Sequence, residues 1–289
     1  MKYNTTNYGQ MEENRNMLLG VITVFSALLA ALICVGVGGG ILAYVLGFAG
    51  SFMVLAALAF GFLVLVCNLI NPNKPQEKDS RFHRWLLHLY VDAILAIGRV
   101  KITTRGMDQL PESGRFMLVS NHRDNIDPAF LLTCFRKKQL AFVSKREVQS
   151  FFLVGKLMHK ILCQPINREN DREALKTILK CVEIIKEDKA SIAVFPEGYI
   201  HDDRKLHHFR PGVFKIAMKT KVPIVVCTLR GTHEVLPRFA KLKSSEAEVR
   251  LLKVIYPEEY EGLTTVELSN RVYAMMADDL GPDLVSQEQ

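Results

Sequence analysis

No charged residue stands between Arg15 and Lys74. A water-facing domain needs ionised groups on its surface, so this stretch is not a soluble domain. Crossing a bilayer core takes roughly 20 apolar residues in a helix. The run therefore has room for two spans and a turn, or for a hairpin that enters and returns. A basic leader is also missing, because Lys2 and Arg15 are balanced by Glu12 and Glu13. With so long a run behind it, that argues against a cleaved signal peptide. No cysteine pair has the C-x-x-C spacing. Cys34, Cys67, Cys134, Cys163, Cys181 and Cys227 are scattered, as free thiols in a reducing compartment would be. There is no G-x-S-x-G elbow and no phosphate-binding P-loop, which argues against a covalent acyl-serine route. The Gly38-Gly39-Gly40 cluster has no flanking strand and amphipathic helix, so it reads as a turn and not as a dinucleotide loop.

The charge that is present lies beyond the apolar run. The chain carries a net +7, and residues 1–73 contribute nothing to it. A basic domain on an apolar anchor points to anionic surfaces or anionic substrates. Nucleic acid fits the sign but not the anchor, and aromatic residues are not interleaved with the basic ones. The chain divides into a polar tail at 1–16, a two-helix anchor at 17–70, a linker at 71–79 and a domain at 80–289. Small residues at four-residue spacing (Gly36/Gly40, Ala43/Gly47, Ala57/Gly61) would let the two anchor helices pack closely. Lys74, Lys78, Arg81 and Arg84 crowd the end of the run, which places the domain on the cytoplasmic face.

Beyond the linker, the spacing of Trp85, Leu86, Leu89, Ile94 and Ile97 predicts an amphipathic helix over 81–98. Strands are expected at 100–104, 116–120, 140–143, 191–195, 223–229 and 249–255, with an extended stretch at 161–166. Helices are expected at 127–135, 148–160, 172–186, 211–219 and 265–277. Such alternation defines an α/β domain with a mainly parallel sheet flanked by helices.

Candidate chemistry falls at predicted strand ends, where α/β proteins place their sites. The first cluster runs from Asn121-His122 to Asp127-Pro128. Histidine is the usual general base near neutral pH, and a carboxylate on its far nitrogen fixes the tautomer. On one continuous helix, residues five apart point roughly 140° away from each other. The two can meet only if His122 lies in a loop and Asp127 starts the helix, and Pro128 suits the first helical position. Asp124 is a second possible partner, and an isolated H-x4-D also fits a simple N-cap beside a loop histidine. The second cluster, Phe195-Pro196-Glu197-Gly198, ends a buried strand and has Arg204, Lys205, Arg210 and Lys215 nearby. The third is Ile166-Asn167-Arg168, and the fourth is Val222-Pro223-Ile224. His201-Asp202-Asp203 and His207-His208 read as a polar loop and not as a metal site.

The order and spacing of these blocks, together with Phe209-Arg210-Pro211-Gly212, resemble the lysophosphatidic acid acyltransferase family of glycerolipid acyltransferases over about residues 80–260. The resemblance implies an acyltransferase domain that esterifies 1-acylglycerol 3-phosphate to phosphatidic acid. It makes His122 the base and Asp127 its orienting partner. It assigns Asn121, Arg168 and Phe195–Gly198 to the acceptor, with Arg204 and Arg210 as further candidates. The donor would be a fatty acyl thioester on coenzyme A or acyl carrier protein, with no metal or other cofactor. Membrane lipids and a lysophospholipid are the expected partners. One departure is visible: the family follows F-P-E-G with Thr-Arg-Ser, and this chain has Tyr199-Ile200-His201. Acceptors such as glycerol 3-phosphate or another lysophospholipid thus stay open, as does a catalytically silent membrane-binding protein.

Overall fold

The computed structural model describes residues 16–287, so the expected tail lies, Asn16 apart, outside the described residues. Helices α1 (Met17–Gly36) and α2 (Ile41–Asn68) form an antiparallel hairpin. The Ser51 hydroxyl donates to the Ser26 carbonyl across it, and Gly47 lies against Ala30. At 1.5 Å per residue the helices are roughly 30 and 42 Å long, enough to cross a hydrocarbon core. Their apolar side chains are mostly exposed, a surface suited to lipid and not to water. The small-residue spacing works at one place only. A Cβ on Gly47 would touch Ala30, whereas Gly36, Gly40 and Gly61 have nothing within 4 Å.

Helix α3 (Arg81–Ile97) joins the hairpin to the domain. The Tyr90 hydroxyl donates to the Ala59 carbonyl of α2. Leu86, Leu87 and Leu95 are buried, but Trp85, Ile94 and Ile97 from the expected apolar set stay exposed. Arg84 is no surface cation. It is buried, donates to both carboxylate oxygens of Asp79 and reaches the Leu140 carbonyl.

The remaining elements are β1 (Val100–Arg105), β2 (Met117–Ser120), α4 (Asp127–Cys134), β3 (Leu140–Lys145), α5 (Val154–Lys160), β4 (Gln164–Ile166), α6 (Asp171–Lys186), β5 (Ser191–Val194), α7 (Lys215–Thr220), β6 (Ile224–Arg230), α8 (Val235–Ala240), β7 (Ser245–Ile255), α9 (Pro257–Tyr260) and α10 (Thr265–Leu280). The strands form one sheet in the order β1-β7-β6-β2-β5-β3-β4, parallel throughout except between β6 and β7. Because side chains alternate along a strand, the central strands feed two cores. Phe116 and Leu118 pack on the face covered by α3 and α4. Met117 and Val119 pack on the face covered by α6, α7 and α10. This is the expected mainly parallel sheet flanked by helices.

Several elements differ from expectation, among them the helix expected over 211–219, which is a 3-10 turn at Pro211–Phe214 followed by α7, and the unexpected α8. The helix expected over 148–160 is broken into a 3-10 turn at Arg146–Ser150 and α5, because the chain folds back on itself there. A Cβ on Gly155 would come within 2.1 Å of the Gln149 carbonyl oxygen. Only Gln164–Ile166 of the expected extended stretch is a strand, since Leu162 takes a left-handed turn at φ +68°. Strand β7 starts at Ser245 and not at Val249, with Ser245, Ala247, Val249 and Leu251 buried in alternation.

Candidate active site

Strand β2 delivers its last residue, Ser120, to the centre of the sheet, and the chain then leaves as a loop. Asn121 pins that loop. Its amide donates to the Leu229 carbonyl at 3.0 Å and accepts from the Leu229 N–H at 2.7 Å. With its amide engaged as both donor and acceptor and only 1% exposed, Asn121 holds the loop against β6.

His122 and Asp127 meet as the loop-and-helix arrangement requires. Nδ1 of His122 lies 2.9 Å from Oδ2 of Asp127, the first residue of α4. The same oxygen accepts the N–H groups of Arg123 at 2.6 Å and Asp124 at 2.9 Å, so the carboxylate organises the whole turn. It is fully buried. Asp124 is turned elsewhere, accepting from the Ile126 N–H and lying 3.6 Å from Arg204. The imidazole stacks on Phe195, with ring centroids 4.1 Å apart at 16°. These contacts leave Nε2 as the ring nitrogen with no protein hydrogen bond among the described residues.

Glu197 comes from the end of β5 and is almost fully buried. Oε1 accepts the His122 N–H at 2.7 Å, and Oε2 accepts the His207 N–H at 2.9 Å. Burial pushes its carboxyl up to about 8, against the pull of those two N–H groups. Glu197 thus clamps the histidine loop to the 207–210 segment.

Gly198 adopts φ +85°, and a Cβ there would lie 3.1 Å from the Arg210 side chain. Glycine lets Arg210 approach, and Arg168 comes in from the end of β4. Both guanidinium groups lie over the ring of Tyr199, at 5.2 Å for Arg168 and 5.0 Å for Arg210. Burial lowers the Arg168 pKa from its usual value. Arg204 is separate. It donates to the Arg123 carbonyl, while Arg123 donates back to the Arg204 carbonyl, so Arg204 braces the histidine loop and borders neither cavity described below. His201 stacks on His207, which bonds to Asp203.

Two cavities open at this end of the sheet. The larger, about 450 Å³, lies between α3, α4, α5 and β3. Its walls include Leu87, Val91, Leu132, Phe142 and Met158, with His122 and Phe195 at the reacting end. The smaller, about 370 Å³, lies beside α6 and the 209–213 segment. Arg168 and Phe195 border both. Sequence reasoning passed over Arg123, which is buried beside Asp127, and the pairing of Tyr199 with two arginines. Only the departure at Tyr199 from the family pattern was a signal for either.

A carboxylate-oriented histidine with one ring nitrogen open beside an apolar cavity has the geometry of a general base next to room for an apolar group. Residues 101–230 match the family model described as Acyltransferase. Over that stretch the chain is similar to acyltransferases. It is 28% identical over 234 residues to a chloroplastic 1-acyl-sn-glycerol-3-phosphate acyltransferase of Arabidopsis thaliana, covering 79% of this chain and 63% of that protein. It is 30% identical over 199 residues to a chloroplastic 1-acyl-sn-glycerol-3-phosphate acyltransferase of Brassica napus, covering 68% of this chain and 56% of that protein. The chain therefore spans less than two thirds of these plant relatives. The crystal structure of the 1-acyl-sn-glycerophosphate acyltransferase PlsC from Thermotoga maritima shares the fold. Its TM-score is 0.56 at 18% identity, over 93% of this chain and 96% of that one.

Proposed function

We propose that the protein transfers a fatty acyl group from a thioester, on coenzyme A or acyl carrier protein, to the free hydroxyl of 1-acylglycerol 3-phosphate, giving phosphatidic acid. The observation that carries this reading is the His122–Asp127 pair at the head of the larger apolar cavity. Nε2 of His122 takes the hydroxyl proton as the acceptor oxygen attacks the thioester carbonyl. An ester bond forms, the carbon–sulfur bond breaks, and the imidazolium returns the proton to the leaving thiolate. The cavity walls take the acyl chain. Arg168 and Arg210 take the acceptor phosphate, because guanidinium pairs with phosphate oxygens in a planar fork that lysine does not reproduce. The scheme calls for no metal and no cofactor beyond the donor. A second reading, with glycerol 3-phosphate or another lysophospholipid as acceptor, is favoured by Tyr199-Ile200 standing at the cavity.

The test is an assay of the purified chain with a panel of lysolipid acceptors and both thioester carriers. Turnover with 1-acylglycerol 3-phosphate above the other acceptors is expected, and its absence ends the reading. Within that assay, Arg168→Lys is expected to raise the acceptor KM by roughly tenfold while the donor KM stays near wild type. Equal changes in the two constants would move the phosphate site elsewhere.

The α1–α2 hairpin is read as embedded in a membrane, with the catalytic domain on the cytoplasmic face because Lys74, Lys78 and Arg81 resist translocation. The full-length protein is then expected to stay in the pellet when membranes are washed with alkaline carbonate. Release into the supernatant would contradict this.

A further inference from the structure

We infer that Tyr199 is a positioning residue that holds Arg168 and Arg210 together as one anion-binding unit and so sets the affinity for the phosphate of the acceptor. This inference rests on the acceptor reading above and extends it to a residue at which the chain departs from the pattern of the family it resembles.

Three observations carry it. First, two arginines from distant parts of the chain converge on one ring. Their guanidinium carbons lie 5.2 and 5.0 Å from its centroid, within the range where the negative face of an aromatic ring attracts a cation. Second, Arg210 is tied to both of the others. Nη1 of Arg210 donates to the Arg168 carbonyl at 3.2 Å, and Nη2 of Arg210 donates to the Tyr199 hydroxyl at 3.3 Å. Third, the group stands at the junction of the two cavities. Tyr199 borders the one that holds His122, Arg210 borders the other, and Arg168 borders both.

The physical need for such a residue is plain. Two guanidinium groups side by side repel, and the Arg168 pKa is depressed by burial first and by Arg210 in addition. Without a common partner, flexible arginine side chains would spread into solvent and would have to be gathered again on each binding event. An aromatic ring with only two torsions supplies that partner, so less side-chain freedom is lost when a dianion arrives. The threonine that usually follows F-P-E-G cannot do this, since it offers no π face. Here the arginine missing at Ile200 is replaced by a tyrosine that marshals two arginines contributed by other segments.

The ring face is the working part and the hydroxyl contributes little, its single 3.3 Å contact being long. The experiment compares Tyr199→Phe and Tyr199→Leu in the full-length chain carrying His122→Ala, so that binding is read without turnover. Equilibrium binding is measured for 1-acylglycerol 3-phosphate and for its uncharged counterpart 1-acylglycerol. Phenylalanine should bind the phosphate lipid within about twofold of the tyrosine protein, and leucine roughly tenfold more weakly. The uncharged lipid should bind all three alike. Leucine binding the phosphate lipid as tightly as tyrosine would overturn the inference. So would an equal loss for both lipids, or no preference for the phosphate in the tyrosine protein. The same ligands assayed for ester formation with His122 intact separate the two ideas. Binding as expected with no ester formed would sink the proposed reaction and leave the role of Tyr199 standing.

Discussion

His122→Ala is expected to lower kcat by about 10²–10⁴-fold, the usual contribution of a positioned general base. The variant should fold. The ring it removes is partly buried, and its losses are one stacking contact with Phe195 and the hydrogen bond to Asp127. Its backbone N–H, which anchors the loop on Glu197, remains. Asp127→Asn should cause a loss of comparable order. The amide can hold the wrong histidine tautomer and no longer offsets the imidazolium charge. Asp124→Asn should be milder, because Asp124 touches the Ile126 N–H and Arg204 and not the imidazole. Steady-state rates on purified, monodisperse protein decide the matter. A His122→Ala enzyme with near-normal kcat would end the mechanism, and an Asp124 variant worse than Asp127→Asn would show that the wrong partner has been chosen.

Glu197→Gln should act through position and not through charge at the reacting atoms. Both carboxyl oxygens of Glu197 accept a backbone N–H, one from His122 and one from His207. A glutamine has one oxygen and one NH2 group, so in either orientation one of those N–H groups faces another donor. A buried donor left without a partner costs about 1–3 kcal/mol. Loosening the His122 loop should lower kcat by roughly 10–100-fold, since misplacement of a catalytic group by about 1 Å has effects of that order. The stability difference should depend on pH. Burial raises the Glu197 carboxyl to about 8, so its folded pKa lies above its unfolded one. The stability this confers is complete below the unfolded pKa and is lost as pH rises through about 8. Glutamine does not titrate, so its deficit in Tm relative to wild type should be largest near pH 5 and smaller at pH 9. Full activity with an unchanged Tm at both pH values would refute the clamp.

The difference between these two positions reflects what each kind of evidence resolves. His122, Asp127 and Pro128 are close in sequence, and their spacing already required a loop followed by a helix start, which is the observed geometry. Glu197 and Asn121 were read as acceptor residues because they stand in the same blocks as the chemistry. Their contacts across the sheet, the His122 N–H for Glu197 and Leu229 for Asn121, follow from the sheet order, which sets β2 beside β5 and β6 beside β2. No local pattern states such a contact. The same holds for Arg204 and Arg210. Both follow the F-P-E-G block, yet Arg204 turns to brace Arg123 and Arg210 turns to Tyr199.

The α/β class, the helix pair at the N-terminal side and the likeness to acyltransferases are legible in the amino-acid order alone, because each rests on local regularities. Apolar runs mark spans, strand and helix periods mark layers, and short motifs sit at strand ends. Only the tertiary structure decided which side chains of those motifs face a cavity and which are spent inside the protein. That choice depends on the neighbours supplied by the sheet order β1-β7-β6-β2-β5-β3-β4, and on the hydrogen bonds that buried polar groups such as Asn121 and Glu197 make to them.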